Sequence, residues 1–525
     1  MIPTDPPAPS LAAFKDVYQN SERVAVIDLG SNSFRLIVVE YVPGLSFRVT
    51  DEVAESVRLS EGMGDENILR AAAMNRAAKV VQIYGAFCKA SGIQEIIAVG
   101  TSAIRDAKNQ QAFLARLEAE SGIRVRVLSG EEEAYYGYLG AVNSSDLHNG
   151  FVLDMGGGSL QISHVEQRQL REAVSFPLGA VRVTERFLQS DPVTTSELDS
   201  LREHLDRQFG RLTWFRYKPG MKMVFVGGGV RMLGRLAQKA DDYPLDLMHG
   251  YVLSQYRIKT FRKLLADKSI AERRRIPGMK IERADISLGT AAVIHEAMRV
   301  SGFEELTISA QGVRGGLFYE RFLAGQEQPR FADVRKAAVL NLAHLYRFQE
   351  KHAEHIAHLT LSMFDQLPAA VHQCRKGERD LLWAASMLHD IGVAIDYNDH
   401  HKHSAYLILN DGLPGYTHRE IALIALLARY HRKGQPTLDE FEAVMEPGDS
   451  RRLVQMAALL RLSEQLDRSR DGVVRDVKLT AGGDYAQLEL LTRGDGQVAL
   501  WSVERHRDVF QQAFGLELEV VTGHS

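Results

Sequence analysis

Two short segments place an acid at the end of an apolar run and follow it with a turn of glycines and small polar residues. They are DLGSNSFR, from Asp28 to Arg35, and DMGGGS, from Asp154 to Ser159. Successive backbone N–H groups in such turns form concave anion sites. Gly30 lets the first turn approach a ligand closely, and Ser31, Asn32 and Ser33 add small polar side chains. Gly156, Gly157 and Gly158 clear the approach to the second turn, and Ser159 adds a hydroxyl donor. A carboxylate beside a phosphate repels it unless a cation lies between, and Mg2+, held through carboxylate and water, suits that position. Asp28 and Asp154 are therefore candidate metal ligands, and the two loops a candidate phosphate clamp. Either loop alone reads equally well as a glycine-rich turn, but two of one construction weaken that reading. A third glycine loop, Val224 to Leu236, follows a strand and opens a helix. It suits phosphate contact at a helix N-terminus or close helix–strand packing.

Hydrolysis also needs a group to orient water or accept its proton. The turn SGEEEA offers Glu131, Glu132 and Glu133, although acids in a first helical turn also complement the helix dipole. Arg105, in SAIRDA, has a planar fork suited to phosphate oxygens, or forms a surface pair with Asp106. Arg35 is a second phosphate contact or a support for the first loop.

These groups must be carried by strands and helices. Val24 to Tyr41 reads as two strands joined by the first turn, followed by a helix over about Asn67 to Ser91 and a strand at Glu95 to Val99. Helix and strand alternate on through Arg124 to Leu128, a helix from Glu131, and strands at Phe151 to Asp154, Lys222 to Val226 and Glu305 to Ile308. That alternation implies α/β architecture. The strand–Asp–turn–strand unit occurs twice, so two similar lobes are expected, each presenting one loop to a shared cleft. From Phe331 to about Arg470 the pattern is helical and dense in histidine, and from Val473 it returns to strand-like runs around one helix near Glu504 to Ala513.

The bulk numbers narrow the function classes. The 525 residues suffice for several domains, and a net charge of −4 argues against coating nucleic acid. Cys88 and Cys374 are far apart and form no CxxC pair, which disfavours a disulfide framework and a thiolate metal site. No apolar run is long enough for a membrane span, and MIPTDPPAPS lacks the basic start of a signal peptide. A cytoplasmic protein with a flexible tail over residues 1–20 is expected.

Five segments in order, VIDLGSNSFRL, AVGTSAIRDAKN, VLSGEEEAYYGYLGA, VLDMGGGS and RADISLGTAAVI with LTISAQGVRGGL, resemble the exopolyphosphatase and guanosine-pentaphosphate phosphohydrolase family. That family lies within the actin-like ATPase and sugar-kinase superfamily. The histidine-rich region is similar to the HD-type helical domain of longer exopolyphosphatases. The resemblance implies two actin-like (ribonuclease-H-like) lobes at 21–142 and 143–326, an all-α HD-type domain at 331–470 and a small α+β module at 473–525. It implies an enzyme that removes a terminal phosphoryl group with Mg2+, or Mn2+, from inorganic polyphosphate or from guanosine pentaphosphate. By the same match Glu132 is the catalytic carboxylate and a metal neighbour, Arg105 binds phosphate, and the protein is a homodimer.

The sequence departs from the family in two places. Gln161 stands where a glutamate is common, and so does Gly315, which puts metal affinity in question and motivates a non-catalytic phosphate-binding regulator as a competing reading. A sugar-type kinase would need a strong adenosine site, for which only the third glycine loop is available. In the helical region the resemblance makes His352, His389, Asp390 and Asp467 candidates for a transition metal, with His400, His401 and His431 as further ligands. The alternative is that these residues hydrogen-bond across helices. Arg419, Arg429, Arg432 and Lys433 are candidates for a basic path to the clamp, or belong to a solvated helix face.

Overall fold

The computed structural model describes residues 21–64, 66–372, 374 and 377–524. The expected tail at 1–20 lies outside the described residues.

Strands β1 (Glu22–Leu29), β2 (Ser33–Val42), β3 (Ser46–Ser56), β4 (Glu95–Gly100) and β5 (Val125–Val127) form one sheet in the order β3-β2-β1-β4-β5. Val24, Ala25, Val26 and Ile27 are all buried, as a central strand covered on both faces requires. β1 and β2 pair antiparallel, with Asp28 opposite Arg35 and Leu29 opposite Phe34. This register leaves Gly30, Ser31 and Asn32 as the connecting turn. Parallel pairing of β1 with β4 sets Leu29 beside Gly100 and so brings Thr101 and Ser102 to the same end. The edge strand β3 was not foreseen. Its sequence, SFRVTDEVAES, is polar and mostly exposed, so it lacks the apolar run that marks an inner strand.

A second sheet repeats the plan. Strands β6 (Gly150–Met155), β7 (Leu160–Glu166), β8 (Gln169–Phe176), β9 (Lys222–Val226), β10 (Val252–Ser254) and β11 (Glu305–Ser309) lie in the order β10-β11-β9-β6-β7-β8. β6 and β7 pair antiparallel with Asp154 opposite Gln161, leaving the glycines in the turn. Helices Gly130–Val142 and Val313–Phe322 cross between the sheets at backbone contact. A Cβ on Gly140 would lie 2.3 Å from the Gly312 carbonyl oxygen, and one on Gly316 would lie 2.0 Å from that of Tyr136. Glycine at both positions is what lets the helices approach this closely. One apolar cluster, including Val26, Val99, Leu139, Val152, Val224 and Phe318, runs through both sheets and fixes the loops relative to each other.

Residues 334–466 are helices and short 3-10 turns. A third sheet, β12 (Val474–Gly482), β13 (Tyr485–Thr492) and β14 (Glu517–His524), follows. Val477, Leu488, Leu490 and Phe510 from this last part pack into the same core as Ile356, Leu388 and Leu460 of the helices. The C-terminal strands therefore complete the helical region's core instead of enclosing one of their own. The single helix expected near 504–513 is two short helices, Gln497–Glu504 and Arg507–Phe514. Among the described residues, no helix is long and apolar enough to cross a membrane.

Candidate functional site

The two glycine turns meet at one cleft of about 280 Å3. Gly30, Ser31, Asn32 and Ser33 line it from one sheet, and Gly156 and Gly157 from the other. The turns also touch. A Cβ on Gly157 would sit 3.0 Å from the Asn32 nitrogen, and one on Gly158 would sit 2.5 Å from Ser102 Oγ and 2.7 Å from Ser31 Oγ. Gly158 and Ser159 are therefore spent on the join between the loops and stand behind the cleft wall.

The carboxylate that reaches the cleft is one residue on from the one expected there. Ser129 caps the helix Gly130–Val142 and its hydroxyl accepts from the Glu132 N–H. The Glu132 carboxylate turns back to accept from the Ser129 N–H at 2.8 Å, completing a capping box, and pairs with Arg126 at 3.1 Å. Glu132 is thereby held outside the cleft, and the role expected for it, including metal contact, does not match its position. Glu133 is the next step round the helix, is buried, and lines the cleft. The capping pattern S-x-x-E was legible in SGEEEA and marks Glu132 as the structural acid.

Arg105 is also placed differently from expectation. Its Nη1 donates to Glu133 Oε2 at 2.7 Å and to the Leu128 carbonyl at 3.1 Å, so it holds the glutamate behind the cleft instead of lining it. Ser159 Oγ donates to Glu133 Oε1 at 3.3 Å. Gln161 stands behind Ser159, donating to its Oγ at 2.9 Å and to Ser175 Oγ at 3.0 Å. Gln161 thus acts on the support of Glu133. At Gly315 a Cβ would lie 2.6 Å from Gln311 Oε1, so the Gln311 side chain fills the space a larger residue would need.

Three carboxylates, Glu133 buried and Asp28 and Asp154 half-buried, are brought together by the loops. Burial raises the Glu133 pKa, Arg105 opposes the rise, Asp28 adds to it, and the net shift is upward. Asp28 is also raised by burial, against the pull of Arg314 and Arg35. Asp154 is pushed up to about 7, first by burial and then by Glu133 and Asp28. Asp28 Oδ1 is buried and has no hydrogen-bond partner among the described residues. Mutual repulsion and an orphaned carboxylate oxygen fit a divalent cation. The carboxylates do not converge on a point, since the sets of ligand atoms within 4.8 Å of one another lie elsewhere among the described residues. A cation here would use one or two carboxylates and complete its shell with water and phosphate oxygens, the ordinary habit of Mg2+.

The same cleft is lined by Arg35, Arg231, Arg283 and Arg314. Arg35 and Arg314 both reach Glu52 Oε1 at 3.3 Å. Arg231 donates to the Gly227 carbonyl at 3.3 Å and is brought down to about 9, by burial and then by Arg35, Arg314 and Arg283. Burial and Arg314 likewise lower Arg35, and burial and Arg35 lower Arg283. This cluster suits a polyanion, whose charge would relieve the mutual repulsion. Arg35 was foreseen as a candidate. Arg231, Arg283 and Arg314 lie in quoted motifs, but nothing local distinguishes them from surface arginines.

In the helical region His352, His389 and Asp390 come together as expected, but the fourth member of the group is Glu464. Asp467 stands behind, its Oδ2 accepting from His352 Nδ1 at 2.8 Å. His400 and His431 join Asp390 in a second group, and His401 belongs to neither. The basic path is not assembled from the residues expected. Arg419 pairs with Asp449 and Glu378, Arg429 with Asp439, Lys433 with Asp399, and Arg432 lies over the Tyr397 ring.

Comparison with known proteins places these features in a family. Residues 37–324 match the Ppx/GppA phosphatase family and residues 334–496 match its domain III. A guanosine-5'-triphosphate,3'-diphosphate pyrophosphatase of Vibrio vulnificus is 27% identical over 484 residues, covering 90% of this chain and 92% of the relative. Its counterpart from Vibrio campbellii is 28% identical over the same length. The crystal structure of the Aquifex aeolicus Ppx/GppA family member covers 59% of this chain and all of its own, with 28% identity and a TM-score of 0.51. An exopolyphosphatase from Cytophaga hutchinsonii, 23% identical with a TM-score of 0.54 and 59% coverage of this chain, shares the fold.

Proposed function

The chain belongs to the Ppx/GppA phosphatase family, which hydrolyses phosphoanhydride bonds, and we propose that it removes the terminal phosphoryl group of inorganic polyphosphate. The observation that carries this reading is the charge of the cleft, which is lined by Asp28, Glu133 and Asp154 and by the guanidinium groups of Arg35, Arg231, Arg283 and Arg314. Among the described residues no aromatic side chain lines it, so it offers phosphate contacts and no ring on which a base would stack.

The terminal phosphoryl group rests on the N–H groups of the two glycine turns. Asp28 and Asp154 would hold a divalent cation, which would neutralise phosphate charge. Arg35, Arg231, Arg283 and Arg314 hold the phosphates that follow. Glu133 orients a water molecule toward the terminal phosphorus and accepts its proton, and its raised pKa makes it a better base than an exposed carboxylate. Arg105 and Ser159 fix the direction of that carboxylate. The water oxygen bonds to phosphorus, the bridging oxygen leaves with the shortened chain, and orthophosphate is released. Catalysis is then mainly placement and charge stabilisation.

A second reading, guanosine pentaphosphate as substrate of the same cleft, is favoured by the names of the Vibrio relatives. Orthophosphate release from long-chain polyphosphate and from guanosine pentaphosphate, each with Mg2+, separates the two. A higher kcat/KM for polyphosphate is expected. Release from guanosine pentaphosphate alone would replace the first reading by the second. Binding of either without turnover would leave only a regulator.

A further inference from the structure

The edge strand β3 carries an irregularity beside the cleft. Val39 of β2 pairs with Val49, Val38 with Asp51 and Ile37 with Glu52, so Thr50 is an extra residue with no counterpart on β2. The Thr50 hydroxyl donates to the Val38 carbonyl at 3.4 Å. In a regular strand, residues three apart point to opposite faces. The extra residue reverses that relation, so Val49 and Glu52 both share the face of Val39, Ile37 and Arg35. Val49, Glu52, Ile37 and Arg35 all line the cleft. A regular strand that kept Val49 in the cleft would turn Glu52 away from it.

Glu52 Oε1 accepts from Arg35 Nη1 and from Arg314 Nη1, each at 3.3 Å. One carboxylate oxygen shared by two guanidinium groups holds the place that a phosphate oxygen would take. The three side chains differ in freedom. Glu52 is 50% exposed, whereas Arg35 and Arg314 are 19% and 15% exposed. The arginines are packed into the cleft, and the glutamate can turn into water by breaking two exposed contacts. Against burial, Arg314 and then Arg35 and Arg231 hold the Glu52 carboxyl below its usual range, so it is a full negative charge at neutral pH.

We propose that Glu52 is an internal competitor for substrate phosphates: it occupies Arg35 and Arg314 in the free protein and is displaced when a phosphate chain pairs with them. The assignment rests on the reading of the cleft as a phosphate-chain site, and adds to it a residue that sets how tightly the chain is held. Binding energy spent equally on substrate and transition state lowers KM without raising kcat. A hydrolase that shortens a chain one phosphate at a time must also let the remainder advance or leave. A carboxylate that returns to the arginines favours that step.

The test measures pyrophosphate binding to the full chain by calorimetry without Mg2+, and KM for polyphosphate with Mg2+. The proteins are the parent, Glu52→Gln, Glu52→Ala and Arg314→Met, with melting temperatures as fold controls. Both Glu52 variants should bind pyrophosphate about 3- to 10-fold more tightly than the parent and lower KM in the same direction, a size that suits ion pairs this exposed. The gain should shrink at high salt. Arg314→Met should bind pyrophosphate more weakly. Weaker binding by the Glu52 variants would overturn the proposal and make Glu52 a support that orders the two arginines. Unchanged binding by them, with Arg314→Met weakened, would overturn it as well and leave the cleft a phosphate site without a competitor. If Arg314→Met also binds as the parent does, or the parent binds no pyrophosphate, the reading of the cleft falls together with the proposal.

Discussion

Both the clamp and the helical-region cluster bury several carboxylates, and their charges are balanced in opposite ways. In the clamp Asp28, Glu133 and Asp154 are all raised, Asp154 to about 7, while four arginines line the same cleft. In the cluster the carboxylates face imidazoles. Against burial, Asp390 is held below the usual range by His389 and His400 and Glu464 by His352 and His389, and His352 is raised to about 9 by Asp467 and Glu464. The clamp therefore holds raised carboxylates and lowered arginines in one cleft, a strain that a cation and a phosphate chain would relieve. The cluster already mixes donors and charges within a few ångströms. The first arrangement suits hard, exchangeable ligands, and the second is already a paired histidine–carboxylate network.

The sharpest way to break this comparison is to remove a clamp acid. Asp154→Asn should lower kcat for orthophosphate release by about 10^2- to 10^3-fold and abolish the Mg2+ dependence of the melting temperature. A variant that still responds fully to Mg2+ would show that the raised carboxylates are not the cation's partners.

The pH dependence of stability gives a second test. The Asp154 pKa is raised on folding from 3.8 to about 7, so its protonated form favours the native state. That contribution is complete below about pH 4 and is lost as pH rises through about 7. Without Mg2+, a drop on the order of 1–3 kcal/mol is expected across this window, and Mg2+ should cancel it and release protons as it binds. Calorimetry at pH 5 and pH 8, with and without Mg2+, reads both effects. Equal stabilisation by Mg2+ at the two pH values would contradict the assignment.

Among the arginines of the cleft, Arg231→Met should lower kcat/KM for polyphosphate about 10-fold, mainly through KM, because it removes a charged contact to the phosphates that follow the terminal one. An equal loss confined to kcat would place Arg231 at the reaction centre. The smallest effect belongs to the helix cap: Ser129→Ala should cost about 1 kcal/mol of stability, with catalysis altered only as far as Glu133 shifts.

These effects also mark what the sequence made legible. The strand–Asp–turn units were readable because apolar runs, aspartate and glycines are local signals, and the structure brings Asp28 and Asp154 to one cleft. β3 was not readable, because an edge strand with one wet face carries too little apolar pattern. The arginine wall was hidden for another reason. Arg35, Arg231, Arg283 and Arg314 are separated by up to 279 positions (314 − 35) and meet only through the packing of two sheets. Glu464 was missed in favour of Asp467, three residues on and one helical turn along, and only the rotation of the helix decides which acid faces the histidines. Glu132 and Glu133 differ by a single step of the same kind.

That single step is the central claim, and one paired measurement tests it directly. Orthophosphate release from polyphosphate with Mg2+ is followed for the parent, Glu133→Gln and Glu132→Gln, with melting temperatures as controls. Glu133→Gln should lose about 10^2- to 10^4-fold in kcat while remaining folded. Glu132→Gln, whose amide can still close the capping box, should stay within about threefold of the parent. Loss of activity in Glu132→Gln with Glu133→Gln unimpaired would contradict the account.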